Sequence, residues 1–209
     1  MRVNSTKTQL LCVSANNTSD VSSYIKHGAN KITSGEELKI LGFKFGRSPT
    51  VKVHVEYMLQ KARRKLWTLR HVRRAGLCEE DMLQIFNTVV RPVVEYAVPT
   101  YHPMLTGEMR DAIESIQKRA SKIIFGWNAD YDELVKSGRI ETLQARRDKL
   151  TLNFARKASK DERFKHWFPE RNMNGVELRN VKKYKETFAR TDRLWKSPIF
   201  HMRRLLNSD

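Results

Sequence analysis

One stretch does most to limit what this chain can fold into: residues 50–74, which the spacing predicts to be a long basic helix. Val55, Met58, Leu59, Ala62, Leu66 and Leu69 recur at steps of three and four, the period of a helix with one buried stripe. Between positions 61 and 74 stand seven cations, Lys61, Arg63, Arg64, Lys65, Arg70, Arg73 and Arg74, and no acid. At about 100° per residue, Gln60, Arg64, Trp67 and His71 fall opposite the apolar stripe. One face therefore asks for a protein core, and the other presents cations around one large aromatic. A solvated face is the plain use of such a charge run. A surface that lies along a phosphate backbone is the sharper one, and the bias of the whole chain favours it.

That bias is large. Lys and Arg number 40 against 23 Asp and Glu, a net charge of +17. Self-repulsion at this level points to a polyanionic partner. Hydrophobic residues make up 40% of the 209 positions, so this is a folding sequence and not a disordered basic tail. The length allows one or two domains with a sizeable core. Cys12 and Cys78 are far apart and form no Cys-x-x-Cys pair, which suits two free thiols in a reducing compartment. No apolar run resembles a signal peptide or reaches the roughly 20 residues of a membrane span. The expected location is intracellular, nuclear or cytoplasmic, with no membrane partner and no small-molecule substrate.

Residues 1–47 read as a small antiparallel β piece. Residues 8–13 (TQLLCV) and 37–45 (ELKILGFKF, with Leu38, Ile40, Phe43 and Phe45) suit strands. Between them, residues 16–23 and 28–35 are rich in turn formers. Two or three strands do not make a stable sheet alone, so a covering partner is expected. From Ser48 onward the pattern is helical, and Gly76 stops the basic helix. Glu79, Glu80 and Asp81 open a second helix by complementing its dipole. Its stripe is Met82, Ile85, Phe86, Val89 and Val90, and Pro92 kinks or restarts it. Pro99 and Pro103 bracket a turn. Thr106 caps a third helix with Met109, Ile113, Ile116, Ala120, Ile123 and Ile124 inward, ended by Gly126. A short helix follows at 132–136, then a long one over 140–157. That helix is expected to bury Leu143, Leu150, Phe154 and Ala158, with Arg146, Arg147, Lys149, Arg156 and Lys157 outward. Residues 170–209 read as a basic arm that docks through Phe188, Leu194, Trp195, Ile199, Phe200, Leu205 and Leu206. The fold class expected is mainly α with a small β piece, α+β.

Chemistry-bearing motifs are absent from the sequence. It contains no P-loop, no Gly-x-Gly-x-x-Gly and no His-Glu-x-x-His. The six histidines are scattered, and no two aspartates sit side by side as a two-metal phosphoryl-transfer centre would require. Glu56, Asp81, Glu95, Glu108 and Asp111 suit helix starts and salt pairs. No metal site and no cofactor is expected in this chain.

Several segments, in order, resemble the reverse transcriptases of non-LTR retrotransposons, the jockey-like clades best. They are Asn4-x-x-Lys7-Thr8-Gln9 with the apolar strand after it, Leu38-Lys39-Ile40-Leu41-Gly42-Phe43, and Arg91-Pro92-Val93-Val94-Glu95-Tyr96-Ala97 with Tyr101-His102-Pro103. Ile116-Gln117-Lys118-Arg119-Ala120, Ile123-Ile124-Phe125-Gly126, Tyr131-x-x-Leu134 and Thr142-Leu143-x-x-Arg146-Arg147 continue the series, which ends at Ser197-Pro198 and Leu205-Leu206-Asn207. The resemblance covers nearly the whole chain. It implies the C-terminal part of a right-hand polymerase: residues 1–47 a remnant of the palm sheet and hairpin, 48–169 a helical thumb-like domain, and 170–209 a basic C-terminal extension. It also implies that Leu41 and Gly42 lie by the primer's 3′ end, and that the 50–74 helix grips an RNA/DNA template–primer duplex. Tyr101 stands near the place of a Trp usual in the family.

The resembling part of the family lies after the palm motif that holds paired catalytic aspartates. Two-metal nucleotide addition needs those carboxylates to hold Mg²⁺. The expectation is therefore a truncated RNA-directed DNA polymerase that keeps a nucleic-acid-binding region and no catalytic residue of its own. The expected contact residues are Lys61, Arg63, Arg64, Lys65, Trp67, Arg70, Arg73 and Arg74. Trp67 either stacks on a frayed base or is covered by the rest of a polymerase, and the general burial of large aromatics favours the second. The alternative function is a non-catalytic helical protein-interaction module derived from the element.

Overall fold

The computed structural model describes residues 4, 7–14, 23–28, 30–171 and 182–209. The protein is mainly helical with a small, largely antiparallel β portion, an α+β class. It divides into two compact units, Met1–Lys61 and Ala62–Asp209. The expected boundary at position 47 falls inside the first unit. Helix α1 (Lys52–Arg74) runs from the first unit into the second.

In the first unit, β1 (Leu10–Leu11), β3 (Asn30–Gly35) and β2 (Tyr24–His27) form one sheet in that order, and β4 (Glu37–Ile40) pairs with β5 (Phe43–Gly46) in a hairpin. Two expectations are corrected. The stretch 28–35 is mostly strand, because Ile25 pairs with Ile32 and Tyr24 with Thr33 across a turn at Gly28, whose φ is 60°. β-branched and aromatic residues on a pleated pair outweigh the turn formers around them. β1 joins β3 in parallel, not antiparallel. Of the expected turn segment 16–23, all but Ser23 lies outside the described residues. The β4–β5 turn holds Leu41 and Gly42 at positive φ, 47° and 86°, the primed geometry that matches strand twist. Leu41 is 89% exposed. Of the apolar face Leu38, Ile40, Phe43 and Phe45, only Phe43 is buried.

The hairpin is clasped to the start of α1. His54 stacks on Phe43 at 3.9 Å between ring centres, and the Lys44 amide donates to His54 Nδ1 at 3.3 Å. A side chain at Gly46 would meet Val53 Cγ2 at 2.8 Å, so only glycine lets the strand approach the helix this closely. Val51, Val55, Met58 and Leu59 complete this core.

The second unit begins with Ala62, Leu66 and Leu69, all buried as expected. After Gly76, α2 (Glu79–Ile85) carries the three acids in its first turn. It passes through a π turn (Phe86–Val90) into α3 (Arg91–Glu95). Pro92 lacks an amide and crowds the carbonyl one turn earlier, and the wider π turn absorbs that conflict. Pro99 and Pro103 do not bracket a turn. Each sits in the opening of a helical piece, α4 (Val98–Tyr101) and the 3-10 turn His102–Met104, where a missing amide is harmless. α5 (Gly107–Phe125) starts on Thr106, whose hydroxyl accepts from the Met109 amide. α6 (Tyr131–Lys136) follows, and α7 (Leu143–Lys160) starts at Thr142, later than expected, because its hydroxyl caps the Ala145 amide.

α7 corrects the sequence reading most. Its buried residues are Leu143, Arg147, Thr151, Ala155 and Ala158. Arg147 is 1% exposed instead of outward, and Phe154 is 39% exposed instead of inward. Phe154 lines an open apolar cleft of about 290 Å³ with Pro99, Trp167, Pro198 and Ile199. The last segment holds α8 (Asp192–Trp195) and α9 (Pro198–Ser208). Docking runs through Tyr184 and Met202, packed with Ala155, Ala158 and Phe168, with Ile199 and Leu206 beside them. Phe188 takes no part and is 88% exposed.

Candidate nucleic-acid interface

α1 presents its cations in three distinct settings. With Trp67 as reference and about 100° per residue, Arg63, Arg64, Arg70, His71 and Arg74 lie within an arc of about 120° around it. All are exposed. From Arg63 to Arg74 the row is roughly 17 Å long at 1.5 Å per residue. Among the described residues, no carboxylate comes within ion-pair distance of Arg63, Arg64, Lys65, Arg70 or Arg74. Lys65 is exposed but points well away from the Trp67 arc. Lys61, the last residue of the first unit, rests its ammonium 5.3 Å from the centre of the Tyr57 ring. The Tyr57 phenol is held below its ordinary range by Lys39 first and by Lys61 after it.

Arg73 is different in kind. Its guanidinium donates to the Ile123 carbonyl and, at 3.4 Å, to the Lys122 carbonyl. These belong to the last turn of α5, where carbonyls are unsatisfied and the helix dipole is negative. Arg73 is thus a helix-capping cation. Sequence reasoning grouped it with its neighbours because phase alone does not reveal which helix end will meet it.

Trp67 is 61% exposed and is braced from one side. The His71 ring lies 3.7 Å from the indole centre at 39°, and His71 Nδ1 donates to the Trp67 carbonyl at 3.0 Å. The bond fixes His71 one turn along the helix, and the stack holds the indole in place.

Many other cations in this unit are neutralised. Glu95 accepts from Arg146 Nη2 at 3.2 Å and lies 3.5 Å from Arg91. Lys149 pairs with Glu141, Arg156 with Asp209, and Arg139 with Glu79 at 3.1 Å. Polar side chains form further joints between the helices of this unit. Gln117 donates to Tyr131 Oη at 3.0 Å and to the Glu141 carbonyl at 2.8 Å. Glu114 accepts from the Leu143 amide at 3.1 Å. His102 and Asp148 meet at 2.7 Å, and burial lowers the His102 pKa from its ordinary value. No cluster of three or more metal-ligating side chains occurs among the described residues, and no helix there is long and apolar enough to cross a membrane.

Leu41 and Gly42 form the exposed tip of the β4–β5 hairpin in the first unit. A bulky apolar residue at positive φ, as at Leu41, costs about 1 kcal/mol or more. No protein-family profile matches the chain, and neither a curated protein nor a solved structure does.

Proposed function

We propose that this chain is a nucleic-acid-holding, thumb-like part of a reverse transcriptase of the non-LTR retrotransposon kind, and that it binds an RNA/DNA template–primer duplex chiefly through phosphates. The resemblance supplies the family. The observation that carries the binding is the row Arg63, Arg64, Arg70 and Arg74, exposed on one arc with no acid within pairing distance among the described residues. Elsewhere in the second unit some exposed cations, Arg139 and Lys149 among them, pair with carboxylates, while Arg119 and Lys122 are exposed with no ion pair among the described residues. The α1 row differs in setting four such cations side by side on one arc. A row that keeps its charge unneutralised matches a partner that brings negative charge at regular spacing. By the same reading Leu41 and Gly42 are the primer-end hairpin, and the chain itself adds no nucleotides, since Mg²⁺ in the intact family enzyme sits on aspartates of the palm.

The test is a salt titration of duplex binding. Each phosphate neutralised contributes about 0.9 to the slope of log affinity against log salt for B-form DNA. Arg64→Gln, Arg70→Gln and Arg74→Gln together keep good helix formers and should lower the slope by up to roughly 2.7. An unchanged slope removes this helix as the binding surface and gives the lead to the protein-interaction reading. Primer extension with Mg²⁺ should give no product, and template-dependent extension that survives repurification would overturn the non-catalytic reading.

A further inference from the structure

We propose that Trp67 is a stacking platform for one unpaired nucleobase, with Arg63, Arg64, Arg70 and Arg74 holding the phosphates on either side of it. The proposal rests on the nucleic-acid reading above and names the part of the ligand that this face recognises: single-stranded nucleic acid, as at the unpaired side of a template–primer junction.

Three observations lead to it. First, Trp67 keeps 61% of its surface open in the middle of the arginine row. A row that only met duplex phosphates would have no use for an indole there, because the faces of paired bases are covered by their neighbours in the stack. An unpaired base offers a bare π face, and an aromatic set in a cationic groove is the common device for catching one. Second, the ring is pre-positioned. His71 packs against it at 3.7 Å and is itself tied to the Trp67 carbonyl, so little side-chain freedom remains to be lost on binding. Third, the surroundings argue against a protein partner. Trp and Arg are both enriched at protein interfaces, but the core of such an interface is depleted of charge overall, so it is the number of like charges and not the residue types that favours a nucleic acid. Around Trp67 the arc holds four arginines and a histidine, and all of them are exposed. All four cations are Arg, whose flat guanidinium can both bond phosphate and lie against a base, where Lys offers only a point charge. Trp195 shows the contrast. Its ring too carries a neighbour on one side, the Arg204 guanidinium at 3.8 Å from the ring centre, but the brace there is the cation itself, whereas at Trp67 the brace is His71 and the four arginines stay exposed around the ring.

The full chain is to be measured by fluorescence anisotropy against a short labelled oligo(dT) and a blunt DNA duplex of the same length. Trp67→Ala should weaken oligo(dT) binding by about tenfold or more, leave duplex binding within about twofold, and leave the salt slope on both probes unchanged. Trp67→Phe should recover most of the loss, and Trp127→Ala, another exposed indole, should change neither probe. Far-UV circular dichroism should be the same for all variants, since Trp67 is on the surface. Equal weakening of both probes, or none on oligo(dT), overturns the stacking site while the salt-dependent binding of the unaltered chain stands. Absence of salt-dependent binding of either probe by the unaltered chain overturns the nucleic-acid reading itself, and the stacking site with it.

Discussion

Two helices of this protein contain almost the same eight residues and use them in opposite ways. In α1 the segment reads Ala62-Arg63-Arg64-Lys65-Leu66-Trp67-Thr68-Leu69. In α7 it reads Ala145-Arg146-Arg147-Asp148-Lys149-Leu150-Thr151-Leu152. In α1 the buried positions are Ala62, Leu66 and Leu69, and both arginines face solvent. In α7 the buried positions are Arg147 and Thr151, while Arg146 reaches Glu95 and Glu141. The face turned inward differs, the third and seventh places in α7 against the first, fifth and eighth in α1, and acids on α3 and just before α7 pair with Arg146. The fate of a basic helix is therefore set by its neighbours, through the face they cover and the carboxylates they bring.

The largest effect should come from the paired arginines at the third place of each segment. Arg147 is buried, bonds Gln144 at 3.0 Å through Nη2, and leaves Nε and Nη1 with no acceptor among the described residues. Arg147→Ala should lower the unfolding free energy by about 2–4 kcal/mol, through a cavity and an orphaned Gln144 oxygen. Arg147→Met, similar in volume and without the buried charge, should be neutral or stabilising. Arg64→Ala should stay within about 0.5 kcal/mol. Urea denaturation followed by circular dichroism measures all three, and equal losses at 64 and 147 would erase the contrast.

What was legible in the sequence follows from the same physics. The stripe of α1, the first turn of α2, the Thr106 cap and the inward face of α5 all show, because leucine, isoleucine and capping hydroxyls advertise themselves. α7 did not show, because its inward stripe is Leu143, Arg147, Thr151, Ala155 and Ala158, where polar and small residues hide the phase that Leu150 and Phe154 mimic. The β2–β3 hairpin was hidden by glycine, asparagine and serine around a few pairing residues. Of the expected contact residues, Arg63, Arg64, Lys65, Trp67, Arg70 and Arg74 are exposed on α1, and no carboxylate among the described residues pairs with the cations. Arg73 donates to carbonyls at positions 122 and 123, a contact that helical phase does not show because its acceptors lie about fifty positions away.

Acid should sharpen the contrast at an intermediate scale. His201 of α9 is held at about 4 by burial, with His102, Arg204 and Arg110 adding to the depression and Asp148 opposing it. The folded protein thus keeps a neutral ring where the unfolded chain, with the ordinary 6.5, takes a proton. The stabilisation is present above about pH 6.5 and is lost as pH falls toward about 4. Between about pH 7 and pH 5 the second unit should lose roughly 1–2 kcal/mol, and His201→Asn should flatten part of that profile. His54, also held at about 4 by burial, should give the first unit a dependence of the same sign, since a protonated Nδ1 cannot accept the Lys44 amide. A stability that rises on acidification would contradict both assignments.

The smallest and most local test lies within α1, at two adjacent arginines. Arg73 donates to the last carbonyls of α5, while Arg74 is exposed with no carboxylate at hand among the described residues. Charge-assisted bonds to a helix C-terminus contribute about 1 kcal/mol, so Arg73→Gln should lower stability by about that much. It should barely change the salt slope of duplex binding, because that guanidinium is already committed. Arg74→Gln should do the reverse, leaving stability within about 0.5 kcal/mol and lowering the slope by about 0.9. Adding the Trp67→Ala change to Arg74→Gln should not lower the duplex slope further, since stacking releases no counterions. If Arg73→Gln and Arg74→Gln behave alike in both measurements, the division of this helix into a capping cation and a phosphate-binding row fails, even where the triple substitution succeeds.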